Sequence, residues 1–122
     1  MDPLAVTSFH TVLFCREWEA CTVFYRDVIG FPVLERRKGF LELQVTPESR
    51  IGLLWERRPQ AAHEPAGRFL LSFRVPDVHE THKKLTSRGL DPAPVRQHPW
   101  GAEVLEARDP EGRRLEFWSS AP

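Results

Sequence analysis

The feature of the sequence that most constrains the fold is an internal repeat of one pattern. Two amphipathic segments begin at Glu17 and Asp77, 60 residues apart, and end at Gly30 and Gly89, 59 residues apart. Each follows one strand-like run and precedes three more, so each copy predicts a βαβββ unit. A solenoid would need at least three short repeats to bury its faces. We therefore predict an α+β fold of two tandem βαβββ modules.

The runs of the two copies occur in the same order. In the first copy the strand "TSFHTVLFC" and the helix "REWEACTVFYRDVIG" precede the strands "FPVLERR", "GFLELQV" and "RIGLLWER". In the second copy the strand "RFLLSFRV" and the helix "PDVHETHKKLTSRG" precede the strands "APVRQHP", "AEVLEAR" and "RRLEFWS". Module one is predicted to span about residues 7–57, the linker 58–67 and module two about 68–119, within one domain of 122 residues.

Composition excludes several classes of partner. Lys+Arg and Asp+Glu both number 17, which leaves no net charge for binding nucleic acid or an anionic membrane. We find no apolar run long enough to span a bilayer and no secretion signal. Cys15 and Cys21 are therefore expected to be reduced thiols, and the protein is expected to be cytoplasmic. Because unpaired sheet edges invite pairing, we also expect a homodimer or a barrel of paired modules.

Several short motifs, taken in order, resemble one known superfamily. "FYRDVIGF" at 24–31, "FRVPDV" at 73–78, "PWG" at 99–101, and "DPEG" followed by "LEFW" at 109–118 are similar to the vicinal oxygen chelate superfamily. This group contains glyoxalases, bleomycin resistance proteins and extradiol dioxygenases. The resemblance runs from about Thr7 to Ser119. It implies cupped mixed sheets that pair to form a barrel-like cavity in a homodimer.

The resemblance also implies metal-ligand positions on the first and last strands of each module. His10 and Glu116 stand at two of these positions, whereas Gly52 and Leu70 stand at the other two. Neither glycine nor leucine can bind a metal ion, and a catalytic divalent metal usually keeps about three protein ligands. We therefore expect no obligatory cofactor. A divalent metal ion held by His10 and Glu116 remains the alternative.

Other side chains could complete or replace that metal site. Glu42 would serve only if it faces the cavity, and Glu56 lies too far along its strand from Gly52. His63 falls in the predicted linker. His79 and His82 lie three residues apart on the second predicted helix. They could bind a metal ion together, or they could lie on a solvent-exposed face of the helix.

His10 and Glu116 are also the candidate catalytic residues. Glu116 alternates with Leu115 and Phe117, so it points to the opposite side of its strand. A carboxylate facing a cavity needs a metal ion, His10 or an arginine as its partner. The alternatives are a surface carboxylate for Glu116 and a solvated strand end for His10.

Five further residues are candidates for lining a ligand pocket. Such pockets are mainly aromatic and apolar, with a few polar groups. The candidates are Trp55, Trp100, Phe40, Phe117 and His98. The alternative for the aromatic residues is core packing or a dimer interface, and for His98 an exposed loop.

The turn "DPEG" carries structural expectations of its own. Asp109 is expected to accept hydrogen bonds from backbone N–H groups of the turn. Gly112 is expected to supply a residue of positive φ.

Three functions follow from these features. The first is a small-molecule-binding protein of the glyoxalase/bleomycin-resistance type, with an aromatic cavity for an organic ligand. The second is an enzyme, either a metal-dependent lyase or isomerase, or a dioxygenase, using His10 and Glu116; in a metal-free variant one of the two acts as a general base. The third is a scaffold dimer with a vestigial cavity. A neutral chain argues against a cationic ligand such as bleomycin.

Overall fold

The computed structural model describes residues 2–57, 69–99 and 101–122. The predicted linker 58–67, with His63 inside it, and Trp100 lie outside the described residues. The chain divides into two units, residues 1–59 and 60–122. In the described part, no helix is long and apolar enough to cross a membrane.

Unit one contains one helical stretch and a four-stranded mixed sheet. Strand β1 spans Thr11–Cys15. Helix α1 spans Trp18–Thr22 and continues as a π-helical segment over Val23–Ile29. Strands β2, β3 and β4 span Val33–Arg37, Phe40–Thr46 and Ser49–Trp55. The strand order is β1-β4-β3-β2. Strand β1 runs parallel to β4, and the other neighbours are antiparallel.

Unit two repeats this arrangement. Strand β5 spans Leu70–Arg74, helix α2 Val78–Ser87, and strands β6, β7 and β8 span Arg96–Gln97, Ala102–Arg108 and Arg114–Ser120. The order is β5-β8-β7-β6, again with one parallel pair, β5 and β8. The prediction of an α+β fold from two tandem βαβββ modules is thereby confirmed.

The first helix differs from its prediction in its second half. The Gly30 N–H donates to the carbonyl oxygen of Tyr25, five residues earlier, which is the wide spacing of a π-helix. The Phe31 N–H donates to the same oxygen. The chain neighbours Phe24 and Tyr25 are both buried, with their rings edge to face at 5.0 Å. Gly30 ends the segment at a φ of 94°, as predicted.

Two predicted strands are shorter in the structure. Strand β1 begins at Thr11, so His10 lies immediately before the strand. The run "APVRQHP" forms only the two-residue strand β6, because two of its seven residues are prolines that cannot donate to a ladder.

Each sheet has one face packed against its own helix and another that we call the far face. On sheet one, Leu13, Leu41 and Leu53 are buried on the helix side. On sheet two, Leu105, Leu115 and Phe117 are buried on the helix side. By alternation, the far face of sheet one carries Val12, Phe14, Phe40, Glu42, Gln44, Arg50, Gly52 and Leu54, and that of sheet two carries Leu70, Ser72, Arg74, Arg96, Ala102, Val104, Glu106, Arg108, Arg114, Glu116 and Trp118.

Candidate functional site

The far face of sheet one lacks a ligand side chain at the position predicted for one. Gly52 lies between Val12 on β1 and Glu42 on β3. A Cβ atom added at Gly52 would lie 3.0 Å and 3.2 Å from two ring carbons of Phe40. The Phe40 ring therefore occupies the space that a metal-binding side chain at Gly52 would need.

A cross-strand ion pair lies beside Gly52. The Arg50 guanidinium donates to Glu42 Oε1 at 3.3 Å, and the Glu42 side chain is only 13% exposed. Glu42 thus lies on the far face, where a substitute metal ligand would have to lie. Its carboxylate, however, is paired with an arginine. Glu56 lies beyond the end of β4, and its backbone N–H donates to the Cys15 carbonyl at 2.9 Å.

Glu116 lies on the far face of sheet two. Its strand neighbours Leu115 and Phe117 are buried on the helix side, so Glu116 points the other way, as alternation predicts. Its carboxylate accepts a hydrogen bond of 2.6 Å from the Ser72 hydroxyl on β5. Within unit two, the immediate partner of Glu116 is therefore a serine.

Glu106 is the second carboxylate of this face. It lies directly across from Glu116 on the neighbouring strand β7. Its Oε1 accepts from Arg96 at 2.9 Å and from Arg114 at 3.1 Å. The charge of Glu106 is thus shared between two arginines on the strands at either side of it.

The two far faces carry the same ion pair at corresponding places. Glu42 lies across from Gly52, and Glu106 lies across from Glu116. In each unit the glutamate pairs with the arginine that stands two residues before that position, Arg50 or Arg114. The duplication therefore preserves polar chemistry on the far face as well as the fold.

Sequence reasoning missed this pair, although a signal was present. A glutamate precedes an arginine by eight residues in both copies, at Glu42 and Arg50 and at Glu106 and Arg114. This spacing indicates an ion pair only if the hairpin register places both side chains on the same face of the sheet. The register is known from the structure and not from the sequence.

The predicted pocket-lining residues divide between the two sides of the sheets. Phe40 lies on the far face of sheet one, with the Arg37 guanidinium 5.9 Å from its ring centroid. Trp55 lies on the helix side, where it stacks on Trp18 at 6.4 Å. Phe117 also lies on the helix side, buried and stacked on Phe73 at 5.3 Å. Phe117 is therefore part of the buried core of unit two, whereas Trp55 stays 39% exposed on the helix side of sheet one.

The two remaining histidine candidates lie outside the strands. His10 is half-buried and immediately precedes β1 in unit one. His98 is half-buried in unit two, where its backbone N–H donates to the Ala102 carbonyl at 2.7 Å and closes the turn before β7. His10 and Glu116 belong to different units.

A cleft opens at the edge of β7, because β6 pairs only with Val104 and Glu103 and leaves the rest of that edge uncovered. It has a volume of about 340 Å³ and lies between residues 90–93 and the end of β7. Glu106 and Arg108 contribute to its wall. Its volume is at the lower end of the range for small-molecule sites.

The donor set does not fit a metal ion in the arrangement that the resemblance implies. Gly52 and Leu70 offer no ligand atoms, and the Phe40 ring fills the space beside Gly52. Across residues 2–57, 69–99 and 101–122, no group of three or more His, Cys, Asp or Glu side chains is placed to hold a metal ion.

Solved structures of similar fold cover almost the whole chain. A glyoxalase/bleomycin resistance protein/dioxygenase from Nocardioides superposes with a TM-score of 0.78 at 22% identity, over 98% of this chain and 87% of that one. A putative glyoxalase family protein from Bacillus anthracis gives 0.77 at 19% identity, over 98% and 99%. Lactoylglutathione lyase from Agrobacterium tumefaciens gives 0.73 at 21% identity, over 97% and 95%. These likenesses establish the fold.

Sequence comparison adds the family. The chain is 26% identical to the uncharacterized protein YraH of Bacillus subtilis (strain 168), over 87% of this chain and 92% of that protein. The model of one family matches residues 7–117, which cover most of both units. This chain therefore belongs to the Glyoxalase/Bleomycin resistance protein/Dioxygenase superfamily.

Proposed function

We propose that this protein binds a small organic molecule on the far faces of its sheets. The observation that carries the proposal is the repeated arginine–glutamate pair, Arg50–Glu42 and Arg114–Glu106, set among aromatic and aliphatic side chains. Ion pairs are costly to bury in a packed core, whereas pockets for organic ligands combine apolar walls with a few placed polar groups. Phe40 and Trp118 supply aromatic surface on these faces.

The proposed ligand site does not depend on a metal ion. The expected ligand positions at Gly52 and Leu70 hold residues without donor atoms, and the Glu116 carboxylate is hydrogen-bonded to Ser72. The chemistry that His10 and Glu116 could still supply is proton transfer or ligand orientation. We therefore propose each of them as a polar residue of the ligand-binding surface of its own unit, with no step assigned to either.

We also propose that the protein works as a homodimer in the cytoplasm. Phe14, on the far face of sheet one, is 45% exposed, and a second copy would cover such apolar surface. The two cysteines, Cys15 and Cys21, are buried and not joined in a disulfide, which fits a reducing compartment.

Binding of organic compounds tests the proposed function directly. A panel of aromatic and thiol-conjugated compounds is titrated into the protein by isothermal calorimetry, and far-face variants Phe40→Ala and Trp118→Ala are compared with the unaltered chain. We expect at least one compound to bind with saturation and to lose affinity in these variants. The proposal fails if no compound in a broad panel binds, or if every binder is indifferent to both substitutions.

Metal titration separates the enzyme alternative from this proposal. Ni²⁺, Mn²⁺, Fe²⁺ and Zn²⁺ are added to the unaltered chain and to His10→Ala and Glu116→Ala variants. Metal binding that both substitutions abolish would favour a metal-dependent lyase, isomerase or dioxygenase. We expect any weak binding to be unchanged, because two side chains fall short of the usual set of ligands.

A further inference from the structure

The far face of sheet two carries an excess of positive charge although the whole chain is neutral. The chain has 17 basic and 17 acidic residues. On this face, two glutamates, Glu106 and Glu116, stand against four arginines: Arg74, Arg96, Arg108 and Arg114. An excess of one sign of charge on a surface attracts ligands of the other sign.

Both carboxylates of this face are already engaged. Glu106 accepts from Arg96 and Arg114, and Glu116 accepts from the Ser72 hydroxyl at 2.6 Å. Arg74 forms no ion pair with any carboxylate in the described part of the chain. The face therefore offers at least one guanidinium whose charge is not balanced locally.

The Arg74 guanidinium is held in place by an aromatic ring. Its central carbon lies 5.0 Å from the ring centroid of Trp118, which lies beside it across the β5–β8 ladder. Stacking on the ring orients the plane of the guanidinium and leaves its N–H groups pointing outward from the edge of the stack. A planar fork of N–H donors held in this way matches the two oxygens of a carboxylate.

We propose that the ligand of this protein is an aromatic carboxylate whose anionic group pairs with Arg74 and whose ring lies against the Trp118 region. The inference rests on the proposed function, because it names the class of molecule that the far faces would bind. Such a site would prefer an anionic ligand, which is the opposite of a site that binds a cationic drug. The remaining arginines of the face strengthen the attraction without contacting the carboxylate.

A series of probes that differ only in charge tests the inference. 2-Naphthoate, 2-naphthamide and 2-naphthylmethylammonium are titrated separately by isothermal calorimetry in low salt. We expect the anion to bind at least about tenfold more tightly than the amide, the ratio that a charge-assisted hydrogen bond supports. The cation should bind most weakly. Raising the salt concentration should reduce the advantage of the anion, because partly exposed charges are screened.

Substitution of Arg74 identifies the group responsible. Arg74→Met removes the charge but keeps an unbranched side chain, and we expect it to abolish the preference for naphthoate over naphthamide. Arg57→Met is the matched control, because Arg57 also stacks on a tryptophan, at 4.9 Å from the ring of Trp55, but on the helix side of sheet one. If Arg74→Met fails to fold, Arg74→Lys replaces it. It keeps the charge without the fork, so naphthoate binding should weaken severalfold.

The outcomes separate this inference from the proposed function. Equal binding of naphthoate and naphthamide would overturn the inference and leave small-molecule binding intact. Tightest binding of the cation, or a preference for naphthoate that survives both Arg74 substitutions, would overturn it as well. If none of the three probes and no compound of the broader panel binds, the proposed function fails and the inference fails with it.

Discussion

At the scale of single residues, the contact between Gly52 and Phe40 explains why one expected metal ligand is missing. The ring of Phe40 lies over Gly52, so close that even one added carbon would touch it at 3.0 Å. The glycine and the aromatic ring are therefore complementary across β3 and β4. Adding a ligand at this position would require the ring to move.

This contact predicts a coupled effect of two substitutions. Gly52→Ala should lower the free energy of unfolding by about 1–2 kcal/mol, because overpacking against Phe40 outweighs the usual gain of replacing glycine in a strand. In a Phe40→Ala background, Gly52→Ala should be neutral or stabilising. Urea unfolding followed by circular dichroism measures the cycle. Additive effects would show that the ring does not confine Gly52.

The turn before β8 contains a buried ion pair that sequence reasoning found only in part. Asp109 accepts from the backbone N–H groups of Glu111 and Arg113 at 2.9 Å, and Gly112 has a φ of 86°, so both turn predictions are confirmed. The Asp109 carboxylate also pairs with the Arg113 side chain at 3.1 Å, and both side chains are almost wholly buried. A local pattern predicts the turn, whereas the burial of Arg113 depends on tertiary packing.

Removing the Asp109 carboxylate should therefore be costly. We expect Asp109→Ala to lower the free energy of unfolding by about 3–5 kcal/mol, because the buried Arg113 guanidinium would lose the carboxylate that pairs with it. Asp109→Asn should cost less, since its amide oxygen can still accept from the backbone. Asp91→Ala, at an exposed position, is the control and should change stability by less than about 0.5 kcal/mol. Thermal and urea unfolding measure all three, and equal stability of the Asp91 and Asp109 variants would contradict the assignment.

At the scale of elements, helix α2 is attached to sheet two by polar contacts as well as by apolar packing. The His79 ring nitrogen Nε2 lies 2.8 Å from the carboxylate of Glu103, a buried residue of β7, which also accepts from Gln97 at 3.1 Å. The Val78 N–H donates to the Ser119 hydroxyl at 3.1 Å. His79 thus belongs to a structural contact with the sheet.

His79 and His82 provide a matched comparison on one helix. We expect His79→Ala to lower the free energy of unfolding by about 1–3 kcal/mol, because the buried Glu103 loses a hydrogen-bond partner. His82→Ala should change stability by less than about 0.5 kcal/mol, since His82 makes no polar contact with another described side chain. Chemical unfolding of both variants distinguishes them. A metal-binding role for the pair would instead appear as metal-dependent stability lost in both variants.

Elements with a regular sequence pattern could be predicted, whereas those decided by long-range packing could not. The alternation of Leu115, Glu116 and Phe117 predicts which way each side chain points, because a strand has a period of two. Helix α2 could be bounded from Asp77 and Gly89, which are local capping signals. The π-helical turn over Val23–Ile29 and the face occupied by Trp55 depend on how the helix packs on its sheet.

At the scale of the whole molecule, the duplication explains why the far faces of the two sheets share some features and differ in others. Both units have the same strand order and the same arginine–glutamate pair. They differ at the central position, where unit one has Gly52 under an aromatic ring and unit two has Glu116 bound to a serine. Beside its ion pair, sheet one therefore presents an aromatic ring at this position, and sheet two presents a carboxylate.

The apolar surface of sheet one leads to a prediction about assembly. Phe14 and Val12 are 45% and 38% exposed on its far face. If a second copy covers this surface, sedimentation equilibrium should give a mass of twice the 14.1 kDa of one chain. Phe14→Glu should shift the equilibrium towards monomer by at least about tenfold, because a charge would be buried in the interface. Val23→Glu is the matched control, because Val23 is also 45% exposed but lies on the helical segment. A monomer at all concentrations, or equal loss of dimer in both variants, would refute a dimer formed through the far face.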